Sequence, residues 1–274
     1  MRAKQPNALR AINLPPCDEG IDTDRLGPDP QAQFTLPDGP RLKAGEPIIT
    51  YVARNLEPYR GIHHFLRALA IVQQRHPTCH ALIVGGDDVS YGQRPKDAAN
   101  WREKLTRDIA LAPTRTHFLG KLPYDAYRRV LQVSAAHVYL SYPFVLSWSM
   151  LEAMASGCLV IGSDTAPVRE VLRHGENGWR VDFFDDEAIA GRIVEVLNDP
   201  EAQAPLRRRA RGDMAAGYSL QQGLAGYERL LGIAMFDGTS PVTNTVHPLG
   251  RQVSPRRNQI QPLIGGQPLW RQIA

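Results

Sequence analysis

The stretch SYPFVLSWSMLEAMASGCLVIGSDTAPVREVLRHGENG, residues 141–178, decides how this 274-residue chain folds. With the preceding HVYL it reads as a buried strand that ends at Pro143 in a polar loop. A helix follows over 147–155, and Gly157 is its stop signal. CLVIGS, apolar and partly β-branched, is a second buried strand. A strand, a loop and a helix N-terminus in this order form the usual ligand position in an open α/β sheet. Unpaired amides and the positive end of the helix dipole converge there and favour a phosphate. The amides of Ser147, Trp148 and Ser149 are the ones so placed. Glu152 sits inside the helix, where a carboxylate accepts two hydrogen bonds from a sugar diol. The competing reading is a structural carboxylate paired with an Arg or Lys. The small apolar surroundings AMASG make a purely structural glutamate costly.

Working outward, the same alternation continues on the N-terminal side. PIITYVA is a strand and GIHHFLRALAIVQQRH an amphipathic helix with Ile62, Phe65, Leu66, Leu69 and Val72 on one face. HALIVGG, THFLG and HVYLS are further strands, separated by helices near 101–111 and at YDAYRRVLQVS. After GENGWRVDF come two or three helices to about residue 233. Strands alternating with helices predict an α/β fold: a doubly wound, mostly parallel sheet covered on both faces. Residues 1–45, rich in Pro, Asp and Gly, read as a flexible linker or arm. Residues 46–235 are the folded domain. Residues 236–274, without period and rich in Pro, Gly, Gln and Asn, read as a disordered tail.

Two other segments reach the same sheet edge. In ARNLEPYRG, Arg54 and Arg60 flank a short loop after a strand, and arginine forks match phosphate oxygens. Taken alone, they read as solvated loop arginines. In HFLGKLPYDAY, Gly120 permits close backbone approach, so the backbone at Gly120, Lys121 and Leu122 can meet the edge of a base. Taken alone, this is an ordinary strand-to-helix turn. His63 and His64 read as surface residues, and His117 and His137 as core histidines. Trp101 reads as a packing residue. Asp87 and Asp88 lack the further ligands a metal needs.

Composition sets the bounds. Hydrophobic residues make up 43% and charged residues 22%, as in an ordinary globular protein. No apolar run is long enough to span a membrane, and no segment near the N-terminus has signal-peptide character, so a cytoplasmic chain is expected. Three cysteines without a CxxC pair fit reduced thiols and no metal site. The net charge of +4 admits an anionic partner. Nucleic acid is disfavoured because no binding motif accompanies the basic residues.

Together these segments resemble the C-terminal half of the retaining glycosyltransferases of the GT-B fold, family 4 type. The resemblance runs from GIDTDRLGP (residues 20–28), similar to that family's interdomain crossover, to about residue 231. It implies one Rossmann-like domain that binds a nucleotide-diphosphate-sugar donor, and a hexosyltransferase activity that calls for a separate N-terminal, acceptor-binding domain. The alternative is a non-catalytic nucleotide-sugar-binding or partner-binding module. By resemblance, Arg54 and Arg60 stabilise the leaving diphosphate; Arg60 stands where a lysine is usual. The backbone of Gly120, Lys121 and Leu122 meets the base, Ser147 and Trp148 the phosphate and sugar, and Glu152 the ribose. No cofactor or metal is implied. Phe144 replaces the first of two family glutamates, and VLSW replaces the usual glycine-rich turn. A donor half that lacks its companion exposes an apolar face, so self-association is expected.

Overall fold

A computed structural model describes residues 20–37, 39–142 and 145–231. Six strands form one wholly parallel sheet: β3 (Ile48–Asn55), β4 (His80–Gly86), β5 (Thr116–Gly120), β6 (Ala136–Tyr139), β7 (Val160–Ser163) and β8 (Trp179–Val181). Their spatial order is β5-β4-β3-β6-β7-β8. The first three strands of the sheet run outward in one direction and the last three in the other. The order therefore reverses between β3 and β6, which places a crevice beyond their carboxyl ends.

Period-two alternation divides the core. Ile49 and Tyr51 of β3 and Ala81 and Ile83 of β4 point to one face, under α1 (Ile62–Arg75), α2 (Trp101–Asp108) and α6 (Asp186–Asn198). Ile48, Leu82 and Val84 point to the other. That second face is covered by α3 (Tyr124–Gln132), α4 (Trp148–Ala155), α5 (Ala166–Val171) and α7 (Ala204–Gly217). The predicted apolar stripe of α1 is fully buried. Each such side chain taken from water contributes roughly 1.5–3 kcal/mol. α8 (Leu220–Leu231) closes the described chain.

The arm predicted for residues 1–45 is corrected from residue 20 onward. β1 (Gln33–Thr35) and β2 (Arg41–Lys43) pair antiparallel, and Phe34, Leu36 and Leu42 pack on the second face beside Val130 and Val133. Ile21 and Leu26 are buried with α4 and α7. The Ile21 amide donates to the Tyr218 carbonyl, and Arg211 donates to the carbonyls of Thr23, Leu26 and Ala155. The folded unit therefore starts well before residue 46. Residues 1–19, Phe144 and the tail expected at 236–274 lie outside the described residues.

His64 is a second correction. It is buried, with Nδ1 2.6 Å from the Asp186 carboxylate at the start of α6. His63 is half-buried, and its burial pushes its imidazole down to about 4. His137 is fully buried, its Nδ1 2.9 Å from Thr50 Oγ1, and burial lowers it to about 3. Cys79 and Cys158 are buried free thiols. Among the described residues no helix is long and apolar enough to cross a membrane.

Candidate functional site

Loops after β3 and β6 flank the crevice at the switch point. The β3 loop ends in a single 3-10 turn, Pro58–Arg60, and turns into α1 at Gly61. Gly61 has φ +74, and a Cβ there would lie 2.5 Å from Leu140 Cβ. Only glycine meets both demands. The turn fixes the Arg60 backbone: its amide donates to the Glu57 carbonyl at 3.0 Å, and its carbonyl accepts from Tyr51 Oη. The guanidinium crosses the crevice. Its Nη1 donates to Ser141 Oγ at 3.2 Å and reaches the Val145 carbonyl at 3.5 Å. Arg54, near the end of β3, is exposed, and its side chain makes no hydrogen bond or ion pair among the described residues. The structure thus brings Arg60 to the β6 loop and leaves Arg54 facing solvent.

The β6 loop feeds α4 as the sequence predicts, although the strand itself stops at Tyr139 rather than Pro143. Ser147 is the N-cap, and its hydroxyl accepts from the Ser149 amide at 3.4 Å. The two serine hydroxyls are 3.0 Å apart. The Ser147 amide donates to Tyr139 Oη at 2.7 Å, so two of the three expected amides are engaged within the protein. Trp148 opens the helix, where an amide has no intrahelical acceptor, and its side chain is exposed. Tyr139 is a buried contributor that sequence reading missed. It stands at the end of a strand, and nothing local marks its hydroxyl as the acceptor for a loop amide eight residues on.

Glu152 faces α3. Tyr127 Oη donates to its carboxyl at 2.8 Å, and Tyr124 Oη lies 3.5 Å away. No Arg or Lys pairs with it among the described residues, which removes the competing ion-pair reading. Burial pushes the Glu152 carboxyl up to about 7, against the opposing pull of the two tyrosine hydroxyls. A carboxyl kept without a counter-ion at a sheet edge marks a candidate functional group. YDAY carries both tyrosines, spaced to share one helix face, and that spacing is a usable sequence signal.

β5 ends at Gly120, whose φ is +65 and whose missing Cβ leaves open space. Lys121 is exposed, and its side chain lies across the end of β4: a Cβ on Gly86 would be 2.6 Å from Lys121 Cε. Leu122 is half-buried against the second face. Asp87 and Asp88 are paired with Arg102 and Arg94. Exposed apolar side chains rim this carboxyl edge: Tyr59, Tyr91, Tyr142, Val145, Trp148 and Phe184, each from a loop or helix start. Phe184 and Tyr142 meet edge to face at 5.1 Å.

The fold is that of one Rossmann-like lobe of the GT-B glycosyltransferases. The profile of the family described as glycosyl transferases group 1 matches residues 33–213, and the chain belongs to that family. A GDP-mannose-dependent alpha-(1-6)-phosphatidylinositol monomannoside mannosyltransferase of Mycolicibacterium smegmatis is 28% identical over 198 residues, covering 71% of this chain and 49% of that protein. The C-terminal domain of a group 1 glycosyl transferase (LpcC) from Francisella tularensis superposes with a TM-score of 0.59 at 18% identity, over 73% of this chain and 99% of that one. Anabaena Alr3699/HepE, solved with UDP and glucose, gives a TM-score of 0.59 at 20% identity, over 68% and 48%. The chain spans about half the length of the curated relatives it matches.

Proposed function

We propose that this chain is the donor-binding half of a retaining glycosyltransferase that takes a nucleotide-diphosphate-sugar as its donor. The observation that carries the reading is the set of groups around one crevice: Arg60 spanning it, the α4 N-terminus on its far side, and Glu152 uncompensated by any cation among the described residues. Names of relatives and neighbours support the donor class: one uses GDP-mannose and another was solved with UDP and glucose.

In this reading the diphosphate lies between Arg60 and the Trp148 amide, with exposed Arg54 swinging in from the end of β3. Charge-assisted bonds of this kind contribute roughly 1.5–3 kcal/mol each. Glu152 accepts the ribose hydroxyls, and the backbone at Gly120, Lys121 and Leu122 meets the base. Reaction breaks the bond between the sugar C1 and the phosphate oxygen. The acceptor oxygen bonds C1 on the same face, and its proton passes to the departing phosphate. Arg60, Arg54 and the helix N-terminus stabilise the charge that develops there. The aromatic rim faces the acceptor-binding lobe.

Calorimetric titration with UDP, GDP and ADP tests the donor site. We expect one nucleotide to bind, about tenfold or more weaker with Glu152→Ala and with Arg54→Ala, as loss of a charge-assisted bond implies. Binding that both substitutions leave unchanged would overturn the assignment.

A further inference from the structure

The loop that carries Arg60 also carries a buried glutamate whose role the proposed chemistry does not use. Glu57 is 1% exposed, between Leu56 and Pro58. Its carboxylate accepts from three successive amides of the loop after β4. These are Ser90 at 3.3 Å to both oxygens, Tyr91 at 3.1 Å and Gly92 at 2.9 Å. Asn55 adds a fourth tie, its Nδ2 donating to Ser90 Oγ at 2.8 Å. No ion pair reaches Glu57 among the described residues. Successive amides converging on one anion form a nest, here filled by the protein's own carboxylate. Gly92 fits because a Cβ would sit 3.3 Å from Glu57 Oε2 and 3.5 Å from the Tyr59 ring.

The nest fixes Tyr91, and the Tyr91 ring lies 5.9 Å from the Arg60 guanidinium carbon, within cation–π reach. Glu57 therefore holds Arg60 at both ends. Its carbonyl takes the Arg60 amide, and its side chain places the ring beside the Arg60 head group. Ser141 and Val145 hold the guanidinium from the far side of the crevice. We propose that Glu57 is a positioning residue that pre-orders Arg60 for a diphosphate by anchoring Tyr91 through the nest formed by Ser90, Tyr91 and Gly92. Ordering the fork before the ligand arrives removes a conformational cost from binding. The inference rests on the donor-site reading above.

A double-mutant cycle on the full chain tests it, read by calorimetry with UDP, GDP and ADP and with the matching nucleosides. Glu57→Gln and Tyr91→Ala each weaken diphosphate binding about three- to five-fold, the scale of one exposed cation–π contact. The loss shrinks below about twofold in the Arg60→Ala background, as coupling through one residue requires. Nucleoside binding stays as in the parent chain, which a general loosening of the fold would not allow. Tyr91→Ala leaves the buried carboxylate in place and decides the matter if Glu57→Gln fails to fold. Equal losses with and without Arg60, or no loss from either substitution while Arg60→Ala still weakens binding, overturn this inference alone. A parent chain that binds none of the three nucleotides overturns the donor-site reading, and this inference with it.

Discussion

Glu152 sets the behaviour of the crevice at the scale of one residue. Burial raises its carboxyl to about 7 in the folded chain, above the ordinary value of 4.5. The folded state therefore keeps a proton that the unfolded state has released. The stability this group gives is present below about pH 4.5 and is lost as pH climbs through about 7. Ligand binding runs the other way. A carboxylate accepts both hydrogens of a diol, whereas the protonated acid gives up one acceptor site. Nucleotide affinity is thus expected to rise about tenfold from pH 6 to pH 8, once the same profile for Glu152→Gln is subtracted to remove the ligand's own ionisation. Identical profiles for the two proteins would show that Glu152 does not meet the ligand. The sequence makes this glutamate legible because small apolar neighbours leave it no obvious structural use. The YDAY spacing marks its tyrosine partners as one helix face, but their contact with Glu152, and the roles of the buried Tyr139 and Glu57, become visible only when separate segments are brought together.

At the scale of elements, the turn from β3 into α1 is the part of the site with the least tolerance. Gly61 combines φ +74 with a Cβ position 2.5 Å from Leu140 Cβ and 3.0 Å from Phe183 Cε2. Gly61→Ala adds left-handed strain to an overlap in a packed core. The sum is about 3 kcal/mol of lost stability, to be read from the denaturant midpoint. A midpoint within experimental error of the parent would refute the account of this turn. Long elements are legible from pattern: the α1 stripe and the apolar runs of β3, β4 and β7 repeat at helical or strand period over enough residues to stand out. β1 and β2 are three residues each, too short for a period to register. The turn sequence PDGP between FTL and RLK is the signal that marks this hairpin. His64 reads as a surface residue because its partner, Asp186, is 122 positions away.

At the scale of the whole molecule, strand order does what no single motif does. Reversal of the sheet between β3 and β6 collects the β3 loop, the β6 loop and the start of α4 around one crevice, although they lie far apart in the chain. The segment from residue 20 packs back against α4, α7 and the start of α8, so the lobe is closed on that side. Its carboxyl edge, by contrast, is rimmed with exposed aromatic side chains. In our reading that edge is where donor and acceptor halves meet, in keeping with a chain about half as long as the curated relatives it matches. The most direct measurement is a crystal structure of this chain with the nucleoside diphosphate it binds most tightly. The account predicts the diphosphate between Arg60 and the Trp148 amide, and the ribose hydroxyls on Glu152. A nucleotide seated away from the crevice between β3 and β6, or one whose ribose does not touch Glu152, would contradict it.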